Sequence, residues 1–360
     1  MNILYKILSL ITSIVVFLTG GIPTVPENVT LEDYEGLKDV YADYFDIGTC
    51  VGSSYLDNEE QVKFLLKNYS SVTPEWEMKV DTINPSEGVW NFAGMDKIAD
   101  FCREHNLKVR GHCLVWGQLS NWMLYDENGD FVSKEVYYER QNEYIRTVML
   151  RYKDVVKVWD VTNEVLGYDL ADGEFKQYDI YKLCGEEYVE KAFEQARAAV
   201  PEAVLVFNEN GLAKNIVKQV YLKKWLKTWL DKGVPIDAVG IQGHSNTVSI
   251  NETCDRLETV IKIIKSTGIK NIQITEIDMS LYLDKHSGEE IYDWQRNYQT
   301  LKFKHLFKLL RKYSDVISSV SFWGPDDAHS CLTASDDNDS PLIFDRSLKP
   351  KAAYYAITEF

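Results

Sequence analysis

From residue 40 onward the sequence alternates short apolar runs with longer amphipathic stretches, and few folds accept that rhythm. The strand-like runs are Phe45–Val51, Ser70–Thr73, Lys108–Leu114, Val156–Val161, Val204–Asn208, Ala238–His244, Asn271–Asp278 and Val316–Trp323. Most are β-branched or alternate apolar with polar residues, as strands favour. Helical spacing recurs over Gln61–Asn68, Asp96–His105, Tyr137–Arg151, Glu187–Ala199, Val217–Leu230, Cys254–Ser266 and Tyr298–Tyr313. Strands each followed by a helical stretch describe a closed parallel barrel better than an open sheet. The expected fold is therefore α/β, a single (β/α)8 TIM barrel. No Ser/Pro-rich linker, repeat or low-complexity segment breaks the rhythm, so residues 27–360 read as one domain.

Ahead of the barrel, Lys6 precedes an apolar run from Ile7 to Leu18, then Thr19-Gly20-Gly21 and the prolines Pro23 and Pro26. So short a run suits the core of a secretory signal better than a membrane span. Residues 1–26 are expected to be a signal peptide of a secreted protein, with an uncleaved anchor as the alternative. The net charge of −16 opposes nucleic acid or an anionic membrane as a partner, since either needs a positive field. Nothing in the sequence implies a protein partner, and a monomer is expected. The six cysteines (Cys50, Cys102, Cys113, Cys184, Cys254 and Cys331) show no C-x-x-C and no metal-ligand spacing. Most lie in apolar runs and read as buried thiols, with Cys50 and Cys113 on strands and Cys102 and Cys184 in helices.

In such a barrel the strand C-termini face the active site, so polar residues that close an apolar strand are informative. In order they are Glu75 and Lys79, His112 and Trp116, Asn163 and Glu164, Asn208 and Glu209, Gln242 and His244, Glu276 and Asp278, and Trp323. Each alone is weak evidence; their recurrence at strand after strand is not. Glycoside hydrolysis needs one protonated and one ionised carboxyl group in different environments. Glu164 and Glu276, on opposite strands, are the candidates. Asn163 is placed to bond a sugar hydroxyl, and His244 and Asp278 to hold Glu276 charged and oriented.

The chain resembles glycoside hydrolase family 10, dominated by endo-β-1,4-xylanases, from about residue 40 to the end. The segments that carry the likeness are Thr73-Pro74-Glu75 with Glu77-Met78-Lys79, Arg110-Gly111-His112-Cys113-Leu114-Val115-Trp116, Trp159-Asp160-Val161-Thr162-Asn163-Glu164, and Val234-Pro235-Ile236-Asp237. Gln242-Gly243-His244, Ile274-Thr275-Glu276-Ile277-Asp278, and Pro341-Leu342-Ile343-Phe344-Asp345 with Lys349-Pro350-Lys351 complete it. The resemblance implies Glu164 as acid/base and Glu276 as nucleophile. Lys79, His112, Trp116, Gln118 and Asn163 would line the subsites just before the cleaved bond. Gln242 and His244 would support the two carboxyls, and Trp323 would lie under the reacting sugar. No cofactor and no catalytic metal are implied; the implied partner is xylan or a related β-glycan.

Four positions depart from the family pattern. Trp76 stands where an asparagine is usual, and Gly117 alone occupies a stretch that is usually one residue longer. Asn208-Glu209-Asn210-Gly211 lacks the usual tyrosine, at Asn210, on the leaving-group side. Cys331 falls near the place of a second lid tryptophan. The leading expectation is an endo-acting retaining xylanase. The same mechanism on a β-glucan or other β-glycoside, and a carbohydrate-binding protein with weak catalysis, are the alternatives.

Overall fold

The computed structural model describes residues 21–171, 173–247, 254–282, 290–333 and 338–360. Most of the expected leader, residues 1–26, lies outside them. Eight parallel strands close on themselves: β1 (Asp46–Val51), β2 (Ser71–Pro74), β3 (Lys108–Gly111), β4 (Val156–Asn163), β5 (Val204–Glu209), β6 (Ala238–Ile241), β7 (Ile272–Ile277) and β8 (Ile317–Phe322). Each pairs with its neighbours in sequence, and β1 closes the ring on β8 through Asp46↔Ser319 to Thr49↔Phe322. The expected (β/α)8 barrel is the observed fold.

One principal helix follows each strand: α1 (Glu59–Asn68), α2 (Ala93–Glu104), α3 (Lys134–Tyr152), α4 (Glu187–Ala199), α5 (Ile216–Asp231), α6 (Cys254–Ser266), α7 (Asp293–Lys312) and α8 (Ala352–Thr358). Spacing decides which face they bury. Met95, Ile98, Ala99 and Cys102 of α2, and Leu257, Val260, Ile261 and Ile264 of α6, recur on one stripe and are buried. Each fully buried Leu, Ile, Val or Met side chain stabilises by about 1.5–3 kcal/mol. Where a chain enters a helix, a short polar side chain satisfies the orphan N–H groups: Asn58 accepts from Glu60 and Gln61, and Asn215 from Val217 and Lys218.

Two expected strands end early. β3 stops at Gly111, and the chain returns to β4 where Leu114 N–H bonds Asp160 O at 2.9 Å and Val115 pairs with Thr162. After Ile241, Gln242 still bonds both neighbouring strands, but Gly243 at φ 91° turns the chain away. His112, Cys113 and Leu114 stay buried beyond the end of β3, so burial alone does not mark where that strand stops, while Gly243 and His244 are only partly buried. Cys113 therefore lies beyond β3 rather than on it. Cys50 is in β1, Cys102 in α2 and Cys184 at the end of a short helix, Asp179–Cys184. Those four are buried, Cys254 and Cys331 only partly, and none of the six forms a disulfide.

The C-terminal segment is clipped to the barrel mouth by a buried ion pair. Lys351 Nζ donates to Asp327 Oδ2 at 2.9 Å, to Ser340 O and Oγ at 2.8 and 2.7 Å, and to Leu342 O. Among the described residues no helix is long and apolar enough to cross a membrane.

Candidate active site

The strand ends bring most of the expected residues to one mouth of the barrel. Asn163 closes β4, and Glu164 follows it at φ 57°. That left-handed conformation costs a non-glycine residue about 1–3 kcal/mol. The Glu164 N–H donates to Asn208 O at 3.0 Å, which pins the residue. Across the barrel Glu276, in β7, donates its own N–H to Gln242 O at 2.7 Å.

A bridge of amides joins the two carboxylates. Asn208 Nδ2 donates to Glu276 Oε1 at 2.7 Å and to Asn163 Oδ1 at 2.9 Å. Gln242 Nε2 donates to the same Asn163 oxygen and to Glu164 Oε1, both at 3.1 Å. Asn208 Oδ1 in turn accepts from the Thr275 hydroxyl at 2.8 Å. Room for Asn208 comes from Gly240 in β6, where a Cβ would sit 2.2 Å from Asn208 Oδ1.

Beyond the bridge the two carboxylates have different company. His244 contacts Glu276 Oε2 through Nε2 at 3.1 Å and Asp278 Oδ2 through Nδ1 at 2.8 Å. Burial opposes a charge on this ring, but the Asp278 carboxylate and then Glu276 outweigh it and push it up to about 10. A protonated His244 donates to both. Glu164 Oε2 instead accepts from Lys176 Nζ at 2.6 Å. Burial would raise the Glu164 carboxyl, yet Lys176, with help from Gln242 and Lys218, holds it below the ordinary glutamate value.

The floor and flanks are aromatic and basic. Trp323 is buried with its ring 5.2 Å from His112 and 6.2 Å from His244, so it lies between the two histidines. His112 Nδ1 meets Asp160 Oδ2 at 2.8 Å, and Arg110 grips the same carboxylate with both terminal nitrogens. On one flank, buried Lys79 places its ammonium 3.8 Å from the Trp76 ring centre and 5.0 Å from that of Trp116. Glu75 stands beside it, its carboxyl raised by burial against the pull of Lys79.

The other positions singled out in the sequence have these surroundings. Gln118 is exposed and donates to Asp81 at 2.7 Å. Glu209, at the end of β5, is turned from the two glutamates and forms a fully buried pair with Lys218 at 2.6 Å. At Gly117 a Cβ would lie 2.4 Å from the Tyr178 ring, so the shortened loop leaves the space that this ring fills. Asn210 accepts from Lys218 at 2.6 Å, and over the neighbouring Gly211 lies Tyr168, reaching in from the loop after β4. Trp76 is half exposed at the rim and Cys331 sits in a turn after β8.

Sequence reading missed Lys176, Tyr168, Tyr178 and the role of Asp160. A charged residue inside the apolar run of β4 was a usable signal for Asp160. Lys176 gave none, because it lies far past the strand end. Among the described residues no cluster of three or more His, Cys, Asp or Glu side chains is arranged to hold a metal ion.

The sequence matches glycosyl hydrolase family 10 over residues 36–360. It is 38% identical over 345 residues to an endo-1,4-beta-xylanase/feruloyl esterase of Xylanibacter ruminicola, covering 90% of this chain and 47% of that protein. It is 36% identical to endo-1,4-beta-xylanase A of Caldicellulosiruptor saccharolyticus over 90% of this chain and 95% of that one. The chain thus spans about half of the first relative and nearly all of the second. A psychrophilic glycoside hydrolase family 10 endo-beta-1,4-xylanase superposes with a TM-score of 0.84 at 38% identity, covering 91% of this chain and 100% of that one.

Proposed function

The chain belongs to glycosyl hydrolase family 10, and on that premise we propose that it is an endo-acting retaining hydrolase of β-1,4-xylan. Glu276 is the nucleophile: its carboxylate attacks the anomeric carbon and forms a glycosyl ester while the leaving oxygen takes the proton of Glu164. In the second step Glu164 accepts a proton from water, whose oxygen displaces Glu276 and restores the β configuration.

The observation that carries this reading is the Gln242–Asn163–Asn208 bridge, which ties two carboxylates of unlike surroundings into one unit. His244 and Asp278 orient Glu276. Lys79, Glu75, His112 and Trp116 offer donors, an acceptor and a ring face to the sugars on the non-leaving side, with Trp323 beneath the reacting one. Gln242 Oε1 and Trp116 Nε1 are buried without a hydrogen-bond partner among the described residues, so sugar hydroxyls have groups to satisfy there. On the leaving-group side Tyr168 supplies the aromatic face that Asn210 cannot. The xylan assignment draws support from the named activities of the relatives. The apolar run at residues 7–18 supports a leader at residues 1–26, ahead of the barrel at 27–360, and export of the enzyme.

Reducing-end release from soluble xylan, mixed-linkage glucan and aryl glycosides tests the substrate, with xylan expected to lead. Anomeric NMR of the first products tests the mechanism. The β anomer should appear first; initial α product would overturn the assignment of the two carboxylates.

A further inference from the structure

We propose that Lys176 is a positioning residue that sets the balance between the acid and base duties of Glu164, an inference that rests on the reading above. Its ammonium lies 2.6 Å from Glu164 Oε2, and both side chains are mostly enclosed, at 14% and 18% exposure. The pair is therefore poorly screened and differs from the rim contacts that are worth little.

The fold plants Lys176 firmly. After Glu164 the chain makes a narrow excursion and returns: Leu166 pairs with Phe175, Gly167 N–H bonds Glu174 O, and Lys176 N–H bonds Val165 O, the last two at 2.9 Å. Phe175, next to the lysine, is buried against Tyr181, Trp225 and Trp229 with ring centres 5.1, 4.7 and 6.3 Å away. Glu174 is tied to Lys224 and to the Trp225 indole. The Lys176 ammonium itself lies 5.2 and 5.5 Å from the rings of Tyr168 and Tyr178. The loop is thus anchored in the core on one side and aims a single cation at the carboxylate on the other.

The remaining polar groups around Glu164 do not cancel that cation. Gln242, after β6, donates a neutral hydrogen bond. Lys218, from α5, adds positive charge but is already paired with Glu209 of β5. Tyr168, Tyr178 and the Cys113 thiol are uncharged at neutral pH, their ionised forms disfavoured first by burial. Glu276 of β7 is occupied by His244 and Asn208. A cation on Glu164 favours its ionised form. That form suits the second step, in which Glu164 takes a proton from water. It hinders the first, in which the same carboxyl must give a proton to the departing oxygen.

The test is the pH profile of kcat/KM for two aryl β-xylobiosides, one whose leaving group needs a proton (phenyl) and one that does not (2,4-dinitrophenyl). In K176M the alkaline limb for the phenyl substrate should move to higher pH. Above that limb the rate gains tenfold for each pH unit of displacement. The dinitrophenyl profile should keep its alkaline limb, and K176R, which keeps the charge, should resemble wild type. If K176M does not fold, K176Q serves the same comparison. A phenyl limb that stays in place or falls in the neutral variant, with wild-type substrates still distinguished, overturns the role of Lys176 alone. Identical wild-type profiles on the two substrates would overturn the reading of Glu164 and the proposal with it.

Discussion

Asn208 of β5 and Glu276 of β7 meet at 2.7 Å over the intervening strand β6, where Gly240 leaves room for the Asn208 amide. Gly240→Ala should push the Asn208 amide from Glu276 and loosen the whole amide bridge. A misplacement of about 1 Å at a reacting group can cost on the order of 10²-fold in rate. We expect kcat to fall by about that factor while the variant keeps most of its melting temperature. Steady-state kinetics beside a thermal melt would decide it, and an unchanged kcat would count against the bridge.

Removing each carboxyl should have a distinct signature. Glu276→Ala should abolish turnover on every substrate. Glu164→Ala should cost about 10²–10⁴-fold in kcat/KM on phenyl xylobioside and far less on the dinitrophenyl compound, whose departure needs no proton. Equal losses on both substrates would contradict the assignment.

His244 links the site to stability as well as to chemistry. Its ring is raised from 6.5 to about 10 in the folded protein, so protonation favours the fold. That contribution is fully present below pH 6.5 and is lost as pH rises through about 10. The melting-temperature difference between wild type and His244→Asn should therefore be largest in mild acid and shrink steadily toward alkaline pH. A gap of constant size across that range would be the contrary result.

The clip between Lys351 and Asp327 should be costly to break. Burial already disfavours both charges, raising Asp327 and lowering Lys351. Lys351→Met would strand a buried carboxylate, and loss of one partner of such a pair typically destabilises by about 3–5 kcal/mol. Urea unfolding of the variant gives the number directly; a change under about 1 kcal/mol would mean that the partners relax to water.

At the rim, Trp76→Asn should remove the ring over which Lys79 sits. Such contacts are worth about 0.5–1 kcal/mol when exposed, so a change of about two- to fivefold in KM for aryl xylobioside is expected. Replacing a stacking face by a hydrogen-bonding amide should also raise the preference for xylobioside over cellobioside. A preference that stays the same or drops would assign Trp76 no part in selection.

The sequence made the barrel legible because its layers repeat: each strand is buried on both sides and each long helix on one stripe. What escaped were features that no local period encodes. The helix α8 is only seven residues long, and an almost wholly apolar run that short declares no period. Lys176 reaches Glu164 by a chain reversal, so nothing near the strand end announced it. Glu209 satisfied the rule that polar strand ends face the site, yet it turned to Lys218, because a lysine in the first turn of α5 offered a buried counter-charge. The departures at Asn210 and Gly117 were readable as losses. That Tyr168 and Tyr178 from one loop occupy the space beside them required the structure.

Ring closure has a consequence for how the chain reaches this state. The pairing of β1 with β8 joins the two ends of the described barrel, the most distant strand partners along the chain. Until that seam forms, a growing sheet presents two unpaired edges that can recruit strands from other chains. Once it forms, no barrel strand is left with an open edge. Weakening the seam of Asp46–Thr49 against Ser319–Phe322 should therefore reveal itself first as aggregation during refolding.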